Sequence, residues 1–486
     1  MTGLEDYIRL RIILEKRKEA GELSRMVIIA VFIQLLSILV ANATSGDLPK
    51  EVKAEEILKK IEKSEPIDYN HVTVVGDLNL SNSVLSKDQN GKIHVNATVK
   101  IIHSTMEGSI DFADSIVSKT IDFTGTAFIR DAQFNDALFI GDALFQGSSF
   151  NEDASFDKAN FMGDANFNNA KFNGGSSFYN TRFGGNAGFF GSFFIGDLIF
   201  NKAKFDGGVH FDGSTFNSYA NFVGAEFQGD TNFYQTEFHW NTNFADAKFS
   251  GTAYFKGTKF ERLASFAGAE FIRYASFEAV QFVEDADFSD VQFKDSYFWG
   301  AKYGGILTLN GTQFTVMQVE WDSIKDHLVY NEASYLYLIK NFDSLGHYSD
   351  SDSCYYQYRK EKQDKETILG SKILDVSALV TCGYGVRPFN TIFLSVMVVI
   401  IFGIIYWIGK AVPESAYEDL TTRYLGTRLQ AISISIYFSA LAFVTPHASI
   451  DLRPYKYWKY IVLFEHIIGW LLMTLFLVTL GRVMIR

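Results

Sequence analysis

The sequence predicts an all-β solenoid rod, an α-helical hairpin and an α-helical membrane domain. Between Phe112 and Phe293, phenylalanine recurs in two series of 11-residue steps, offset from each other by five or six residues. A small side chain usually stands two positions before each ring, as Ala132 does before Phe134. Long apolar runs lie near both ends of the chain. The regular period predicts stacked coils, and the apolar runs predict membrane-spanning helices.

The phenylalanine ladder is typical of a core and not of a reactive site. Positions i and i−2 both point inward every five or six residues, a spacing that neither a helix nor one flat strand satisfies. Four short extended segments make a coil of 22 residues, so the 33 phenylalanines correspond to about eight coils. With strands roughly 4.8 Å apart, these coils form a rod on the order of 40 Å long. Burial of each ring contributes roughly 1.5–3 kcal/mol, so no chemistry is assigned to the ladder.

The repeating unit, small-x-Phe-x-x, resembles the pentapeptide-repeat proteins, departing from them by a sixth residue in every second copy. The resemblance implies a right-handed quadrilateral β-helix over residues 112–310, preceded by a capping region and first coils at 44–111. Val84, Val95, Met106 and Val117 continue the second series backward, which predicts that coils begin before the phenylalanines. The runs at 72–75 and 78–80 are expected to form an irregular cap. Since such repeats serve many unrelated functions, the resemblance leaves function open.

Composition excludes several classes of function. The net charge of the 486 residues is −12, and residues 112–293 carry 12 basic and 23 acidic side chains, which argues against nucleic acid as a direct partner of the rod. An acidic DNA-mimic role, known among pentapeptide-repeat proteins, stays open. Cys354 and Cys382 are the only cysteines, so they form one disulfide or remain two structural thiols. No catalytic constellation, metal-ligand cluster or phosphate-binding loop stands out, and we predict no enzyme, no cofactor and no metal site.

The N-terminal 43 residues are predicted to reach the membrane. Residues 1–25 are typical of an amphipathic cytoplasmic helix with a basic end, and residues 26–43 form an apolar run. That run suits an uncleaved transmembrane signal-anchor, a signal peptide cleaved after Ala43, or a buried helix.

Residues 311–388 are expected to form a helical linker containing a hairpin. Asn331 is a good cap for a first helix that ends near Gly346, and Ser349 or Asp350 for a second. The apolar face of the first helix would consist of Tyr335, Leu338, Ile339 and Phe342. This hairpin would close the end of the rod.

The last segment, 389–486, contains two long apolar runs, at 392–408 and 460–480. Both are typical of transmembrane helices. Between them, 429–445 is apolar but rich in serine and ends at Pro446, so it fits either a third span or the helix of a re-entrant segment, 429–455.

The motifs at 437–445, 451–454, 465–469 and 476–482 are similar to the two-helix pore domain of the potassium-channel superfamily. The resemblance implies a homotetramer with an outer helix, a pore helix, a filter loop and an inner helix. By it, Thr445 would open the filter and Asp451 would follow it.

The loop departs from that family, because Thr445 is followed by Pro-His-Ala-Ser and not by the glycines that a potassium filter needs. Potassium selectivity is therefore not predicted. His447, Ser449 and Asp451, with Thr445, are the pore-loop candidates and would surround a wider mouth.

The inner-helix candidates are Glu465, His466 and Gly469. Glu465 and His466 form the ionisable pair inside an apolar run, for which a functional role and a packing role are both open. By the resemblance, Gly469 would lie where an inner helix bends. The Thr-Cys-Gly-Tyr-Gly segment at 381–385 is close to a potassium filter in sequence, but no membrane span precedes it nearby, so we interpret it as a turn leading into the next helix.

These features predict an oligomeric, cation-conducting channel in the cell membrane, with the lipid bilayer and a permeant ion as partners. The alternative is a non-conducting, membrane-anchored scaffold whose acidic rod binds a protein. The basic residues between the two C-terminal spans predict that this loop is cytoplasmic and that the rod is extracytoplasmic.

Overall fold

A computed structural model describes residues 49–85, 87–365, 367–411, 427–445 and 457–484. The predicted N-terminal helix at 1–25 and the signal-anchor at 26–43 lie outside the described residues.

The rod is a parallel β-solenoid with four faces, and its longest face holds 12 strands. That first face consists of Lys50–Lys53, Val72–Val75, Thr105–Met106, Ala127–Phe128, Ser149–Phe150, Lys171–Phe172, Phe193–Phe194, Thr215–Phe216, Glu237–Phe238, Lys259–Phe260, Gln281–Phe282 and Lys302–Tyr303. The second face consists of Leu78–Asn79, Ile110–Asp111, Ala132–Gln133, Ala154–Ser155, Ser176–Ser177, Leu198–Ile199, Ala220–Asn221, Thr242–Asn243, Ala264–Ser265, Ala286–Asp287 and Leu307–Thr308.

The other two faces join into one sheet of 20 strands. The third face consists of Ile93–Val95, Ser115–Val117, Leu138–Phe139, Asn160–Phe161, Arg182–Phe183, Lys204–Phe205, Glu226–Phe227 and Lys248–Phe249. The fourth face consists of Ile67–Asn70, Val99–Ile102, Ile121–Asp122, Ala143–Leu144, Ala165–Asn166, Ala187–Gly188, Val209–His210, Thr231–Asn232 and Ala253–Tyr254. The last three strands, Glu270–Ser276, Gln292–Tyr297 and Gln313–Gln318, turn the corner between these faces without a break.

The core confirms the predicted stacking of phenylalanines. Phe128 pairs with Phe150, 22 residues later, and their ring centroids are 4.8 Å apart. Across the core, Phe156 meets Phe167 edge to face at 5.3 Å. Most rings from Phe128 onward therefore lie flat on their equivalents in the neighbouring coils, and many also meet rings from other faces edge to face, a geometry that aromatic pairs favour.

The spacing between successive phenylalanines alternates between five and six residues because the turns at the corners of each coil differ. In the five-residue step from Phe134 to Phe139, the Ala137 amide donates to the Phe134 carbonyl at 3.2 Å, and Asp136 adopts a left-handed φ of 56°. This tight turn needs one residue fewer than the corners that lack it.

The rod begins before the first phenylalanine of the ladder, Phe112. Residues 72–75 and 78–79 form regular strands, although an irregular cap was predicted there. Strand Lys50–Lys53 pairs with Val72–Val75, and helix α1, Ala54–Glu62, connects this coil to the next. The next coil is longer, since Val74 pairs with Met106, 32 residues later. That insertion places Val84 on the surface, 85% exposed, so its predicted core position is wrong, whereas Val95 is buried.

The hairpin packs on the other end of the rod. After the short helix α2, Trp321–Ile324, come α3, Glu332–Ser344, and α4, Tyr348–Lys365. The Asn331 side chain caps α3 as predicted, accepting from the Ser334 amide at 3.1 Å. Helix α4 begins at Tyr348, so the predicted caps Ser349 and Asp350 lie inside its first turn.

The buried amide of Asn341 joins this hairpin to the last coil. It donates to the Met317 carbonyl at 2.7 Å and accepts from the Met317 amide at 3.1 Å. The predicted face residues Tyr335, Leu338 and Phe342 are fully buried in the same core as the phenylalanines.

Within the described residues, four more α-helices follow the hairpin. They are α5, Leu369–Cys382; α6, Pro388–Ile408; α7, Thr427–Val444; and α8, Trp458–Met484. Among the described helices, α6 and α8 are the two that are long and apolar enough to cross a membrane. Helix α5 was not predicted as a separate element.

Candidate functional site

Helix α7 packs between α6 and α8 through two glycines. A methyl group at Gly403 of α6 would lie 2.8 Å from the Ile436 Cα, and one at Gly469 of α8 would lie 2.2 Å from the Phe443 carbonyl oxygen. No larger residue fits at either position without moving α7, so these glycines set the close approach of the three backbones.

Helix α7 ends partway along α8. Gly409, after α6, lies against the ring of Trp458, so the end of α6 and the start of α8 are at the same end of the bundle. The last turn of α7 contacts Gly469, which is 13 positions before Arg482. At 1.5 Å per residue, about 20 Å of α8 continues beyond the end of α7. Among the described residues, the apolar part of α7, 431–444, is shorter than a membrane span, so the re-entrant helix stays a prediction and a third span gains no support.

Glu465 lies where the three helices meet. Its side chain is fully buried, and the Tyr406 hydroxyl of α6 donates to Oε2 at 2.6 Å. Oε1 forms a hydrogen bond with the Ser439 hydroxyl of α7, which also lies 2.8 Å from the Val399 carbonyl oxygen of α6. A carboxyl group thus links α6, α7 and α8 within an apolar environment.

The other inner-helix candidates contact the last turn of α7. The His466 Nδ1 lies 3.0 Å from the Ala442 carbonyl oxygen, to which the imidazole can only donate. Gly469 lies within a continuous helix, where it admits the Phe443 carbonyl. The structure therefore brings Glu465, His466 and Gly469 together against one face of α7.

The pore-loop candidates are only partly within the described chain. Thr445 follows α7 directly, and its amide donates to the Leu441 carbonyl at 2.9 Å. His447, Ser449 and Asp451 lie outside the described residues.

The filter-like segment at 381–385 forms a turn that leads into α6, as predicted. Tyr384 has a left-handed φ of 59° and is buried, and its hydroxyl bonds to the Gln363 side chain. The Arg359 guanidinium lies 5.0 Å from the centre of the Tyr384 ring. This segment is therefore part of a joint between the hairpin and the helix bundle.

Two further arginines complete the joint. Arg387, immediately before α6, stacks on the ring of Tyr356 at 3.5 Å, and Arg482, near the end of α8, lies 4.9 Å from the ring of Tyr355. Both tyrosines belong to α4. We call these two stacks, with Arg359 on Tyr384, the hairpin joint.

The acidic side chains of the rod contribute to the coil-to-coil contacts. Asp131 accepts a hydrogen bond from the Asp153 amide, and Asp153 accepts one from the Gly175 amide at 2.8 Å. Other carboxylates pair with lysines one coil away, as Glu226 does with Lys204 at 3.0 Å. Within the described residues, no group of three or more His, Cys, Asp or Glu is arranged to hold a metal ion.

Sequence reasoning singled out Glu465 but not its partners. Tyr406 and Ser439 precede it by 59 and 26 residues, and only the packing of the helices brings them together. The several serines in the apolar sequence of α7 were the available sequence signal for Ser439. Tyr406 was not singled out; its hydroxyl within the apolar run at 392–408 was the available signal.

Comparison with known proteins identifies the class of the rod. A family model described as pentapeptide repeats (9 copies) matches residues 145–192, 178–225, 211–259, 233–281 and 255–302. Residues 145–302 of the β-solenoid therefore consist of pentapeptide repeats. The match ends at residue 302 and gives no support to the channel-like resemblance of the last 95 residues. No curated protein and no solved structure matches the chain.

Proposed function

We propose that the chain is a subunit of an oligomeric, cation-conducting membrane channel. The observation that carries this proposal is the end of α7 partway along α8, beside Gly469. The C-terminal end of a helix has a partial negative charge of roughly half an elementary charge. A helix that ends inside an apolar bundle therefore favours a cation over an anion at that depth.

In this proposal several copies of the three helices surround an axis and line the passage together. Helices α6 and α8 have exposed apolar surface for this, because Phe393 of α6 and Trp470 and Leu471 of α8 are mostly exposed. Such side chains suit contact with lipid and with neighbouring subunits. The resemblance to potassium-channel pore domains favours four copies.

The charge distribution supports an extracytoplasmic rod. Five basic side chains lie between α6 and α8, namely Lys410, Arg423, Arg428, Arg453 and Lys456, and a sixth, Lys459, lies at the start of α8. The positive-inside rule places this stretch in the cytoplasm and the rod on the opposite side.

Ion flux through the purified full-length protein in liposomes tests the proposal. Asp451→Asn removes a negative charge next to the proposed passage, so it should lower cation preference or conductance. Glu226→Gln removes the same charge from the rod surface and should change neither. The absence of flux from folded, correctly inserted protein would contradict the proposal.

A second candidate function is a membrane-anchored scaffold, and one surface patch favours it. Phe190, Phe193 and Ile195 of a single coil are about half exposed. At the same positions the two neighbouring coils carry Asn168, Lys171, Asn173, Asp212, Thr215 and Asn217. An apolar group surrounded by polar coils is typical of a protein-binding surface. If the chain is a scaffold, a photo-crosslinking residue at position 193 should capture a discrete protein in cells, whereas one at position 215 should not. The same protein should give no ion flux in liposomes.

A further inference from the structure

The buried Glu465 carboxyl has hydroxyl groups and no cation among its described hydrogen-bond partners. The carboxyl is fully buried, and the described partners of its two oxygens are the hydroxyls of Tyr406 and Ser439. Neither is a cation. A buried carboxylate without a positive partner is strongly disfavoured in an apolar environment.

The hydroxyl of Ser439 has a single hydrogen but two neighbouring acceptors. It lies 2.8 Å from the Val399 carbonyl oxygen, which can only accept, and it also bonds to Glu465 Oε1. If Glu465 were ionised, the serine could donate to one of these oxygens, and the other contact would bring two lone pairs together. A proton on Oε1 removes this conflict, because the acid then donates to Ser439, which donates to Val399.

The hydrogen bond to the second carboxyl oxygen, Oε2, is consistent with a proton on Oε1. The Tyr406 hydroxyl lies 2.6 Å from Oε2 and donates to it, so each of the three contacts contains one hydrogen. Among the described residues, no cationic side chain forms a hydrogen bond or ion pair with this carboxyl. His466, on the same helix, directs Nδ1 to the Ala442 carbonyl, and neither α6 nor residues 431–444 of α7 contain an Asp, Glu, His, Lys or Arg.

We infer that Glu465 is a proton-binding site, occupied by a proton in this structure, and that this proton holds α7 against α6 and α8. When the proton passes to water, the carboxylate competes for the Ser439 hydrogen and the bond from Ser439 to Val399 is lost. The contact of α7 with α6 at mid-bundle then depends on side-chain packing and the close approach at Gly403, while Ser439 still bonds to Glu465 of α8. The protonation state of one side chain thus controls how firmly the re-entrant helix is held, whether or not the bundle conducts ions.

Infrared spectroscopy of the full-length protein in lipid nanodiscs tests the protonation directly. A neutral carboxylic acid gives a carbonyl stretching band, sensitive to deuterium exchange, that a carboxylate lacks. We expect this band at pH 7 in the native protein, its loss in Glu465→Gln, and its retention in Glu226→Gln. If the native protein and Glu465→Gln have the same spectrum in this region, the inference is wrong.

A second variant tests the same assignment in case Glu465→Gln does not fold. Tyr406→Phe removes one donor to the acid carbonyl and should shift the same band to higher frequency while keeping it. An unshifted band would contradict the assignment to Glu465.

Hydrogen exchange tests the consequence for α7. Raising the pH until the acid band disappears should selectively speed exchange of the amides at 427–444, after correction for the intrinsic effect of pH. Glu465→Gln, whose amide can donate to Ser439 and accept from Tyr406 at every pH, should not show this response. Equal responses of the two proteins would refute the proton-dependent attachment.

Discussion

Removal of one ring from the middle of the rod should open the neighbouring coils. Phe222 is fully buried, with its centroid 4.6 Å from that of Phe244 and 5.4 Å from that of Phe200, both nearly parallel. It also meets Phe211 and Phe233 edge to face at 5.8 Å. Phe222→Ala leaves a cavity among four rings, and such truncations cost roughly 3–5 kcal/mol.

This cost should be local, because coils in a solenoid contact only their neighbours. In hydrogen exchange of the full-length protein, amides at 200–244 would exchange roughly a hundred- to several-thousand-fold faster, since about 1.4 kcal/mol corresponds to a factor of ten. Phe193→Ala is the matched control, because its ring is about half exposed and surface substitutions usually change stability by about 0.5 kcal/mol or less. Equal exchange in the two variants would refute the stacked-core account.

Three other predictions concern the hairpin, the thiols and the topology. Asn341→Ala should cost roughly 1–3 kcal/mol, because it leaves buried backbone groups of the last coil unpaired, and proteolysis at 319–331 should accelerate. Cys354 and Cys382 are free and buried, and burial raises the pKa of the Cys354 thiol, so maleimide should modify neither at neutral pH until the protein is unfolded. Modification of the folded protein would contradict this. For topology, a membrane-impermeant thiol reagent should label Asn217→Cys in intact cells but Ser415→Cys only after the cells are opened, and the reverse pattern would place the rod in the cytoplasm.

The rod was predictable from sequence where its period is strict. Each phenylalanine has an equivalent 22 residues away, so local spacing alone determines which residues stack. The first coils lack that signal, because their strands carry aliphatic residues and one coil contains extra residues. Val84 shows the consequence: an 11-residue step places it in the core, but the 32-residue spacing between Val74 and Met106 leaves it exposed.

The site in the helix bundle was only partly predictable for a different reason. An acid in an apolar run is visible in a sequence, and so is a glycine that permits close packing. Which hydroxyl faces the acid depends on the crossing of helices that are far apart in the chain. Nothing in the local pattern of α6 or α7 specifies that Tyr406 and Ser439 meet Glu465.

The hairpin joint and the Glu465 site attach different helices of the bundle. The joint attaches α6 and α8 to the hairpin, and the Glu465 site attaches α7 to α6 and α8. Arg387 and Arg482 connect the start of α6 and the end of α8 to the same helix, α4, and each such cation–π contact contributes roughly 0.5–2 kcal/mol. The hairpin, which is continuous with the core of the rod, therefore contacts both α6 and α8. Helix α7 takes no part in the stacks of the joint, and is held by the Glu465 hydrogen bonds and the two close glycine contacts. If both proposals hold, movement of the rod would shift α6 and α8, and loss of the Glu465 proton would loosen α7 between them.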